Sequence, residues 1–474
     1  MNLIEKWDVF ELRLDGPTEG NPFIDVIIGA RFSFGCRHID VDGFYDGKGQ
    51  YVVRFMPDAE GLWRYKTRSG HVSLDEHAGT FECLPPGKTN HGPLRVHNRF
   101  HFAHEDGTRH QSFGTTCYVW NHQGNKLEEQ TLKTLANGPF NKIRMCVFPK
   151  HYAYNRNEPR YHPFEGSIED GWDFTRFNPP FWAHLEQRIL DLRDLGIEAD
   201  LILFHPYDRW GYAELDAEVD DRYLTYAVAR LSAFRNLWWS FANEYDLMKS
   251  KTEADWDRYF KIVQSKDPVQ HLRGIHNCRQ FYDHGKPWVT HCSIQRPEPS
   301  LSKEWREQYG KPVVIDECRY EGNVNKRWGN ITAQEMVRKF WDGTCSGGYV
   351  GHGETYLHPD DVLWWSKGGV LRGKSGPRIQ FLRDIVEAGP PNLNPVSIIR
   401  GVPTVGVSGE YYLAYTGNSQ SASKDIKLPE CDEFKIEIID TWEMKITPLK
   451  GIYSGACTID LPTKPYIALR FVKV

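Results

Sequence analysis

The stretch that decides the fold is Trp238-Trp239-Ser240-Phe241-Ala242-Asn243-Glu244-Tyr245, an apolar run that ends in an amide and a carboxylate. An uninterrupted apolar run bounded by polar residues is typical of a β-strand covered on both faces, as in a parallel sheet. The run Lys311-Pro312-Val313-Val314-Ile315-Asp316-Glu317 has the same form. Because parallel α/β barrels keep their functional residues at the carboxyl ends of the strands, both runs predict a barrel with Glu244 and Glu317 at one mouth.

Six further strand ends complete the eight that such a barrel requires. They are predicted at residues 113–116, 143–148, 201–205, 273–277, 288–291 and 348–354. Helix-like segments lie between them: residues 180–196 carry apolar side chains at helical spacing and end in glycine. Thr332, followed by Glu335 three residues later, is typical of a capped helix start.

Both ends of the chain have a different character. Short alternating strands separated by turns, without helices, predict an N-terminal β-sandwich over residues 1–88. Pro85-Pro86-Gly87 can continue neither a strand nor a helix and marks its boundary. The sequence therefore predicts an α/β protein with a (β/α)8 TIM barrel over residues 98–390. A small C-terminal β domain, a second β-sandwich, is predicted over residues 395–474.

Composition is that of a large globular enzyme. Of 474 residues, 40% are hydrophobic and 26% charged, and the net charge of −5 provides no basis for binding nucleic acid or an anionic membrane. Aromatic residues reach 14%, which suits either sugar-binding platforms or β-domain cores. The first residues lack the pattern of a signal peptide, no apolar stretch reaches 18 residues, and the ten cysteines form no CxxC pair. These features predict a cytoplasmic protein with no membrane partner, and a homo-oligomer is left open.

Two carboxylates on separate strands of one barrel are the equipment for glycoside hydrolysis, which requires no cofactor and no metal. In the retaining mechanism one carboxyl group acts as acid and base, and the other becomes a covalent nucleophile. We predict Glu244 as the acid/base and Glu317 as the nucleophile. A single glutamate at a strand end would more often form a structural salt bridge, so the prediction depends on the pair.

The segments Ala242-Asn243-Glu244 and Val314-Ile315-Asp316-Glu317 resemble the ends of strands four and seven in clan A glycoside hydrolases. That clan places its acid/base after an asparagine on strand four and its nucleophile on strand seven. The order of β-sandwich, barrel and small β domain resembles bacterial glycosidases related to the apiosidase branch. The resemblance implies a retaining enzyme that removes a terminal sugar from a plant or microbial oligosaccharide or glycoside by double displacement, with carbohydrate as its partner.

The resemblance also implies roles for other residues. Arg144 on strand two would hold the nucleophile ionised, and Asn243 would bond the substrate 2-hydroxyl. His291, at the predicted end of strand six, would lie near the nucleophile, and His205 at the end of strand three would bind a sugar hydroxyl. For Arg144 an ordinary barrel salt bridge is an alternative, and each histidine has a structural alternative.

Strand eight departs from the clan pattern, because Gly351-His352-Gly353-Glu354 stands where many members carry a tryptophan. Glu354 is a candidate substrate-binding carboxylate. Trp364 and Trp365 are candidates for the missing sugar platform, although core packing is an equal alternative for at least one of them. The loops at residues 151–157 and 206–212 are rich in aromatic and polar side chains that suit a sugar pocket.

Three other functions make different demands on the sequence. A catalytically inactive carbohydrate-binding protein on a glycosidase-like barrel would be expected to lack one carboxylate, and both are present. An esterase would need a GxSxG motif, which is absent. A metal-dependent hydrolase lacks HExxH or comparable close ligand spacing, and its candidate ligands would be His205, Asp208, His276, His291 and His352.

Overall fold

The computed structural model describes residues 2–360 and 363–474, and an eight-stranded parallel barrel lies at its centre. Each barrel strand pairs in parallel with its neighbour, and a bridge between His276 and Ser293 joins the fifth strand to the sixth. The prediction of a TIM barrel with extra β-sheets at both ends is confirmed. The strands are β1 (Gly114–Thr116), β2 (Lys142–Cys146), β3 (Glu198–Phe204), β4 (Leu237–Ala242), β5 (Leu272–Gly274), β6 (Cys292–Gln295), β7 (Val313–Glu317) and β8 (Tyr349–His352).

The predicted position of strand six is wrong. Residues 288–291 precede the strand, which begins at Cys292 and ends at Gln295. The β-rich segment Trp288-Val289-Thr290-His291 instead lies beside β5. There, Thr290 N donates to Arg273 O, and the Thr290 hydroxyl accepts from Arg273 N. A local pattern of β-branched and aromatic residues does not show which of two neighbouring segments enters the ladder.

Helices connect most of the strands and surround the barrel. Thr332 caps the helix after β7, where its hydroxyl accepts a hydrogen bond from Glu335 N at 3.2 Å, as predicted. No α-helix connects β5 to β6 within residues 275–291, all of which the structure describes. The α-helices of the barrel region are Asn125–Ala136, Pro179–Asp194, Ala217–Leu231, Glu253–Lys266, Ser302–Tyr309, Ala333–Cys345, Trp364–Lys367 and Gly376–Ala388. Short 3₁₀ turns occupy Trp120–His122, Tyr212–Glu214, Tyr245–Leu247 and Pro299–Leu301.

The N-terminal region forms a five-stranded and a three-stranded sheet around one aromatic core. It docks on the barrel through ion pairs: Arg54 contacts Glu186 at 2.7 Å, and Asp46 contacts Arg230 at 2.7 Å. The five-stranded sheet runs Asn2–Glu5, Ala78–Leu84, Gly61–Ser69, Ile28–Phe34 and Arg37–Asp42. The three-stranded sheet runs Phe10–Asp15, Gln50–Phe55 and Phe44–Tyr45, and a short helix lies at Pro22–Asp25.

A small antiparallel sheet closes the amino-terminal end of the barrel. Phe102 packs against Trp238 and Tyr349, with ring centroids 4.9 and 5.1 Å apart. Because Trp238 is the second residue of β4 and Tyr349 is the first residue of β8, this contact covers the end opposite Glu244 and Glu317. The strands are Leu94–His97, His101–His104 and Arg109–His110.

The remaining sheets decorate the barrel or follow it. A six-stranded antiparallel sheet at the C-terminus contributes side chains, such as Leu413 and Ala468, to the same core as the helix Ala333–Cys345. Its strands are Asn394–Pro395, Thr404–Val407, Tyr411–Tyr415, Ile467–Lys473, Phe434–Asp440 and Lys445–Pro448, and Ser423–Lys427 pairs with Ala456–Asp460. Two smaller pairs of strands are Phe164–Ser167 with Gly171–Phe177 and Glu321–Gly322 with Glu354–Thr355.

All ten cysteines are free thiols. Within the described part of the chain, no helix has both the length and the apolarity needed to cross a membrane.

Candidate active site

Glu244 lies two residues beyond β4 in a left-handed conformation (φ 55°, ψ 53°) that non-glycine residues seldom adopt. The turn brings Glu244 and the preceding Asn243 to the same site: Asn243 Nδ2 donates to Glu244 Oε2 at 3.3 Å. The Tyr207 hydroxyl, from the loop after β3, donates to the same oxygen. Uncommon backbone conformations persist where the surroundings enforce them, and they concentrate at functional sites.

Glu317 ends β7 at a β-bulge. Ile294 pairs with Ile315 and Gln295 with Glu317, so Asp316 is the additional residue on β7. In a regular strand, neighbouring side chains point to opposite faces, but a bulge changes their direction. Both Asp316 and Glu317 consequently point into the barrel.

Beneath the two glutamates lies a buried layer of charges. Lys142 Nζ contacts Asp200 at 2.6 Å and Asp316 at 2.8 Å, and Ser293 donates to Asp316 at 2.5 Å. Burial opposes ionisation of Asp316, but Lys142 and Arg144 together lower its pKa below the ordinary value. This layer anchors Arg144, whose Nε lies 3.7 Å from Asp200.

Arg144 connects the charged layer to the site above it. Its Nη1 donates to Glu317 Oε1 at 3.3 Å and its Nη2 donates to Asn243 Oδ1 at 3.4 Å. The Tyr118 hydroxyl, from the loop after β1, donates to Glu317 Oε1 and lies 3.1 Å from Asn243 Oδ1. The hydrogen bonds of the Gln295 amide are satisfied when its nitrogen donates to Glu317 Oε2 at 3.3 Å and to Asn277 O at 3.2 Å.

The electrostatics of Glu317 combine opposing effects. Burial raises the pKa of the Glu317 carboxyl and the nearby Glu244 raises it further, whereas Arg144 and the Tyr118 hydroxyl favour the carboxylate. His276 Nε2 lies 3.9 Å from Glu317 Oε1, and burial lowers the pKa of His276 well below the ordinary value, so this neighbour is neutral. The charge of Glu244 thus affects the ionisation of Glu317, as expected for two carboxylates at one site.

Both glutamates open into one pocket of about 440 Å³ at the carboxyl ends of the strands. Tyrosine and tryptophan account for seven of its fifteen lining residues, and some of their rings pack on one another: the centroids of Trp328 and Trp365 are 5.0 Å apart. The aromatic lining residues are Tyr118, Tyr152, Tyr154, Tyr207, Tyr320, Trp328 and Trp365. An aromatic wall with a few polar groups at its base is the usual form of a small-molecule site.

The two histidines predicted to bind substrate do not line this pocket. His291 precedes β6, at the opposite end of the barrel, and its ring packs on Trp238 with centroids 4.9 Å apart. The error follows from the wrong boundary of strand six. His205 does follow β3, but it is buried, its Nε2 contacts Phe148 O at 3.1 Å and its Nδ1 accepts from Tyr207 N at 3.3 Å. His205 therefore supports the loop that carries Tyr207.

Glu354 and Trp364 also lie outside this pocket, although both were predicted to bind substrate. Trp364 is buried in the main core and donates to Thr115 Oγ1 at 2.9 Å, whereas Trp365, the next residue, lines the pocket. Glu354 is buried next to Glu321 and accepts hydrogen bonds from Arg372 N and Gly373 N at 2.6 and 2.7 Å. Side chains one residue apart on a short helix point in different directions, and the spacing alone did not show which tryptophan faced the pocket.

Among residues 2–360 and 363–474, one group of side chains has donor atoms close enough to hold a metal ion: Glu321, His352 and Glu354, all buried. The oxygens of Glu321 and Glu354 already accept four main-chain N–H groups of residues 372–375. The five ligands considered for a metal-dependent hydrolase do not form such a group in this part of the chain, where His352 alone belongs to one.

Several pocket residues were not predicted individually. Tyr207, Tyr152 and Tyr154 lie in the two loops whose composition suited a sugar pocket, so the signal was regional. Tyr118 and Tyr320 follow β1 and β7 by two and three residues, and a tyrosine just after a barrel strand was the available signal. Lys150, four residues after β2, was also missed.

Comparison with known proteins gives a consistent result. The model of the apiosidase-like catalytic domain matches residues 96–369. Models of two domains of unknown function, DUF5060 and DUF5605, match residues 3–70 and 401–472. None of the curated proteins compared with the chain matches it.

Two solved structures from Bacteroides vulgatus ATCC 8482 are similar. One, described as a "putative glycoside hydrolase", is 41% identical, covers 100% of both chains and has a TM-score of 0.96. The other, a glycoside hydrolase of family 5, is 15% identical, with a TM-score of 0.63 over 81% of this chain and 94% of that one, and shows the shared fold.

The class of protein that the fold defines is that of the TIM-barrel glycoside hydrolases. Within that class, the chain belongs to the apiosidase-like family.

Proposed function

We propose that the protein is a retaining glycoside hydrolase that removes a terminal sugar from a plant or microbial oligosaccharide or glycoside. The observation that supports this function is the convergence of Glu244 and Glu317 on one aromatic pocket. Each carboxylate receives its own hydroxyl donor, from Tyr207 and from Tyr118 respectively. Arg144 contacts only Glu317 of the two, which favours the negative charge that a nucleophile needs there.

In the first step a Glu317 oxygen attacks the anomeric carbon while the Glu244 carboxyl gives its proton to the glycosidic oxygen. The bond from carbon to the leaving oxygen breaks, the aglycone departs as an alcohol, and a glycosyl ester of Glu317 forms. Asn243, between Arg144 and Glu244, is placed to meet the hydroxyl next to the reacting carbon.

In the second step Glu244, now a carboxylate, takes a proton from water, and the water oxygen attacks the anomeric carbon. The ester bond breaks, Glu317 returns as a carboxylate, and the sugar leaves with its original anomeric configuration. Tyr154, Trp328 and Trp365 form the wall above the carboxylates, which suits a single terminal sugar.

The first experiment is a panel of nitrophenyl glycosides, pyranosides and furanosides in both anomers, assayed with the wild type and Glu317→Gln. We expect release from one sugar by the wild type and none by the variant. Proton NMR of that reaction should show that the first-formed sugar keeps the anomeric configuration of the substrate. Inversion of configuration would contradict double displacement.

A catalytically inactive carbohydrate-binding protein is the alternative function. It predicts sugar binding that is detectable by calorimetry and unchanged in Glu317→Gln, with no release from any glycoside in the panel. Both carboxylates and their donors are in place, which favours the enzyme.

A further inference from the structure

Lys150 lies in a cage of aromatic rings at the base of the pocket. The side chain is 2% exposed. Its Nζ lies 3.5 Å from the ring centroid of Tyr118, 4.2 Å from that of Tyr207 and 4.6 Å from that of Tyr152. Cation–π contacts stabilise an ammonium group but leave its three N–H donors without acceptors.

The Lys150 ammonium has no acceptor of its own. Throughout residues 2–360 and 363–474, it makes no hydrogen bond and no carboxylate oxygen lies within 4.0 Å of it. Two other buried cations, by contrast, have carboxylate partners: Lys142 pairs with Asp200 and Asp316, and Arg230 pairs with Glu186. A buried charge without a partner is costly, and Lys150 lines the open pocket, so its partner must come from the pocket.

The distances from Lys150 to the rings beside Glu244 and Glu317 indicate which sugar of the substrate it can contact. Tyr118, directly under the ammonium, donates to Glu317, and Tyr207 donates to Glu244. Lys150 is therefore one aromatic ring away from each catalytic carboxylate. The sugar whose anomeric carbon lies between those carboxylates is the one that Lys150 can reach.

The rest of the lining is also cationic. Arg319, two residues after β7, has a left-handed backbone (φ 82°) and no carboxylate partner within the described chain. Arg296 donates to Gln295 O at 3.0 Å and also lines the pocket. Even with Glu244 and Glu317 both ionised, these cations outnumber the carboxylates of the lining.

We propose that Lys150 binds the carboxylate of a uronic acid, so that the terminal sugar which the enzyme removes is anionic. The proposal rests on the glycosidase function proposed above and names its substrate class. A carboxylate at C6 would give the ammonium the acceptor that the protein does not supply, and it would lie on the sugar held between Glu244 and Glu317. A sulfate ester at the same position has related chemistry and is distinguished by the experiment.

The test compares substrates that differ at C6 alone: nitrophenyl glucuronides with glucosides, and galacturonides with galactosides, in both anomers, plus the 6-sulfated hexosides. We expect kcat/KM for one uronide to exceed that for its hexoside by about 100-fold. In Lys150→Met, which keeps the apolar stem in the cage, the uronide value should fall by about 100-fold and the hexoside value by less than about 3-fold.

Two control variants accompany Lys150→Met. Lys126→Met makes the same change at an exposed position of the helix Asn125–Ala136 and should leave every rate unchanged. Lys150→Arg keeps the charge and should retain the uronide preference, which makes the test independent of how well Lys150→Met folds. Preference for a neutral hexoside, or equal losses on both members of a pair, would overturn the proposal. Hydrolysis of the 6-sulfate alone would also overturn it.

If no glycoside is hydrolysed, a binding measurement can still test the carboxylate site at Lys150 independently of the glycosidase function. Calorimetry then measures glucuronate and galacturonate, with glucose and galactose for comparison, on the wild type and on Lys150→Met. Uronate binding that Lys150→Met loses would support the carboxylate site while the hydrolase proposal fails. No uronate binding would reject the site.

Discussion

Two pairs of buried glutamates lie at the carboxyl end of this barrel, and their surroundings differ. Glu244 and Glu317 meet side-chain donors, namely Tyr207, Tyr118 and Arg144, and open into an aromatic pocket. Glu321 and Glu354, one strand further around, accept four main-chain N–H groups from residues 372–375.

Both pairs are buried and close together, so burial and proximity do not distinguish the pair that we propose as catalytic from the other pair. Burial raises the pKa of Glu317, and burial also raises the pKa of Glu354 to about 7. The difference lies in what each carboxylate is free to contact. Glu317 faces the aromatic pocket, whereas Glu354 lines a different pocket and both of its oxygens accept hydrogen bonds that fasten a loop to the barrel.

The largest expected effect compares the same change at the two pairs. Glu317→Gln should lower kcat by on the order of 10⁴-fold, because the nucleophile is lost while the amide keeps the volume. Glu354→Gln should leave kcat/KM within about 3-fold, because its side chain lies outside the pocket. Steady-state kinetics on the substrate found in the glycoside panel measures both. A larger loss in Glu354→Gln than in Glu317→Gln would reverse our assignment of the pairs.

The next effect separates the two members of the catalytic pair. Glu244→Ala should lower kcat/KM by about 10³-fold on substrates with poor leaving groups and by about 10-fold or less on dinitrophenyl glycosides. The reason is that acid assistance matters only where the leaving oxygen needs a proton. A Brønsted plot of rate against leaving-group pKa measures this, and equal losses across the series would contradict Glu244 as the acid.

A smaller effect concerns pH. The nucleophile must be ionised, so kcat/KM should fall as pH falls through the pKa of Glu317, which lies above 4.5. Tyr118→Phe removes a donor that favours the carboxylate, which raises that pKa and moves the acidic limb to higher pH, with about a 10-fold loss on that limb. Tyr154→Phe, another lining tyrosine, should leave the limb in place. If the acidic limb of the pH profile does not move in Tyr118→Phe, then Tyr118 does not affect the ionisation of Glu317.

The variant with the smallest expected effect on activity, Glu354→Gln, should have a measurable effect on stability. In Glu354→Gln one amide N–H group would face a main-chain N–H of Arg372 or Gly373, which costs about 1–3 kcal/mol. Tm should fall by a few degrees, measured by calorimetry. An unchanged Tm in Glu354→Gln would show that the loop is held by other contacts.

Part of the site was predictable because its signals are local. Apolar runs ending in Asn243-Glu244 and in Asp316-Glu317 indicate buried strands, and parallel strands place their carboxyl ends together whatever the distance along the chain. Eight such segments with intervening helical periodicity were sufficient for the barrel. The roles assigned to Glu244 and Glu317 remain predictions that the kinetics above would test.

Other features depended on contacts between distant segments. Strand six begins after His291 because Cys292 enters the ladder with Val313, and that pairing removes His291 from the substrate end. Glu354 meets the main chain of residues 372–375, and Trp365 rather than Trp364 turns to the pocket. Whether a charged side chain has a partner is likewise decided by residues far away in sequence.

The sequence by itself determined the barrel and which strands carry carboxylates, because periodicity and strand ends are encoded within a few neighbouring residues. The tertiary structure alone decided which carboxylates face a pocket and that Lys150 reaches the pocket unpaired. The physical reason is that hydrogen-bond partners and open space are properties of packed surfaces, which assemble from segments that the local pattern does not relate to one another.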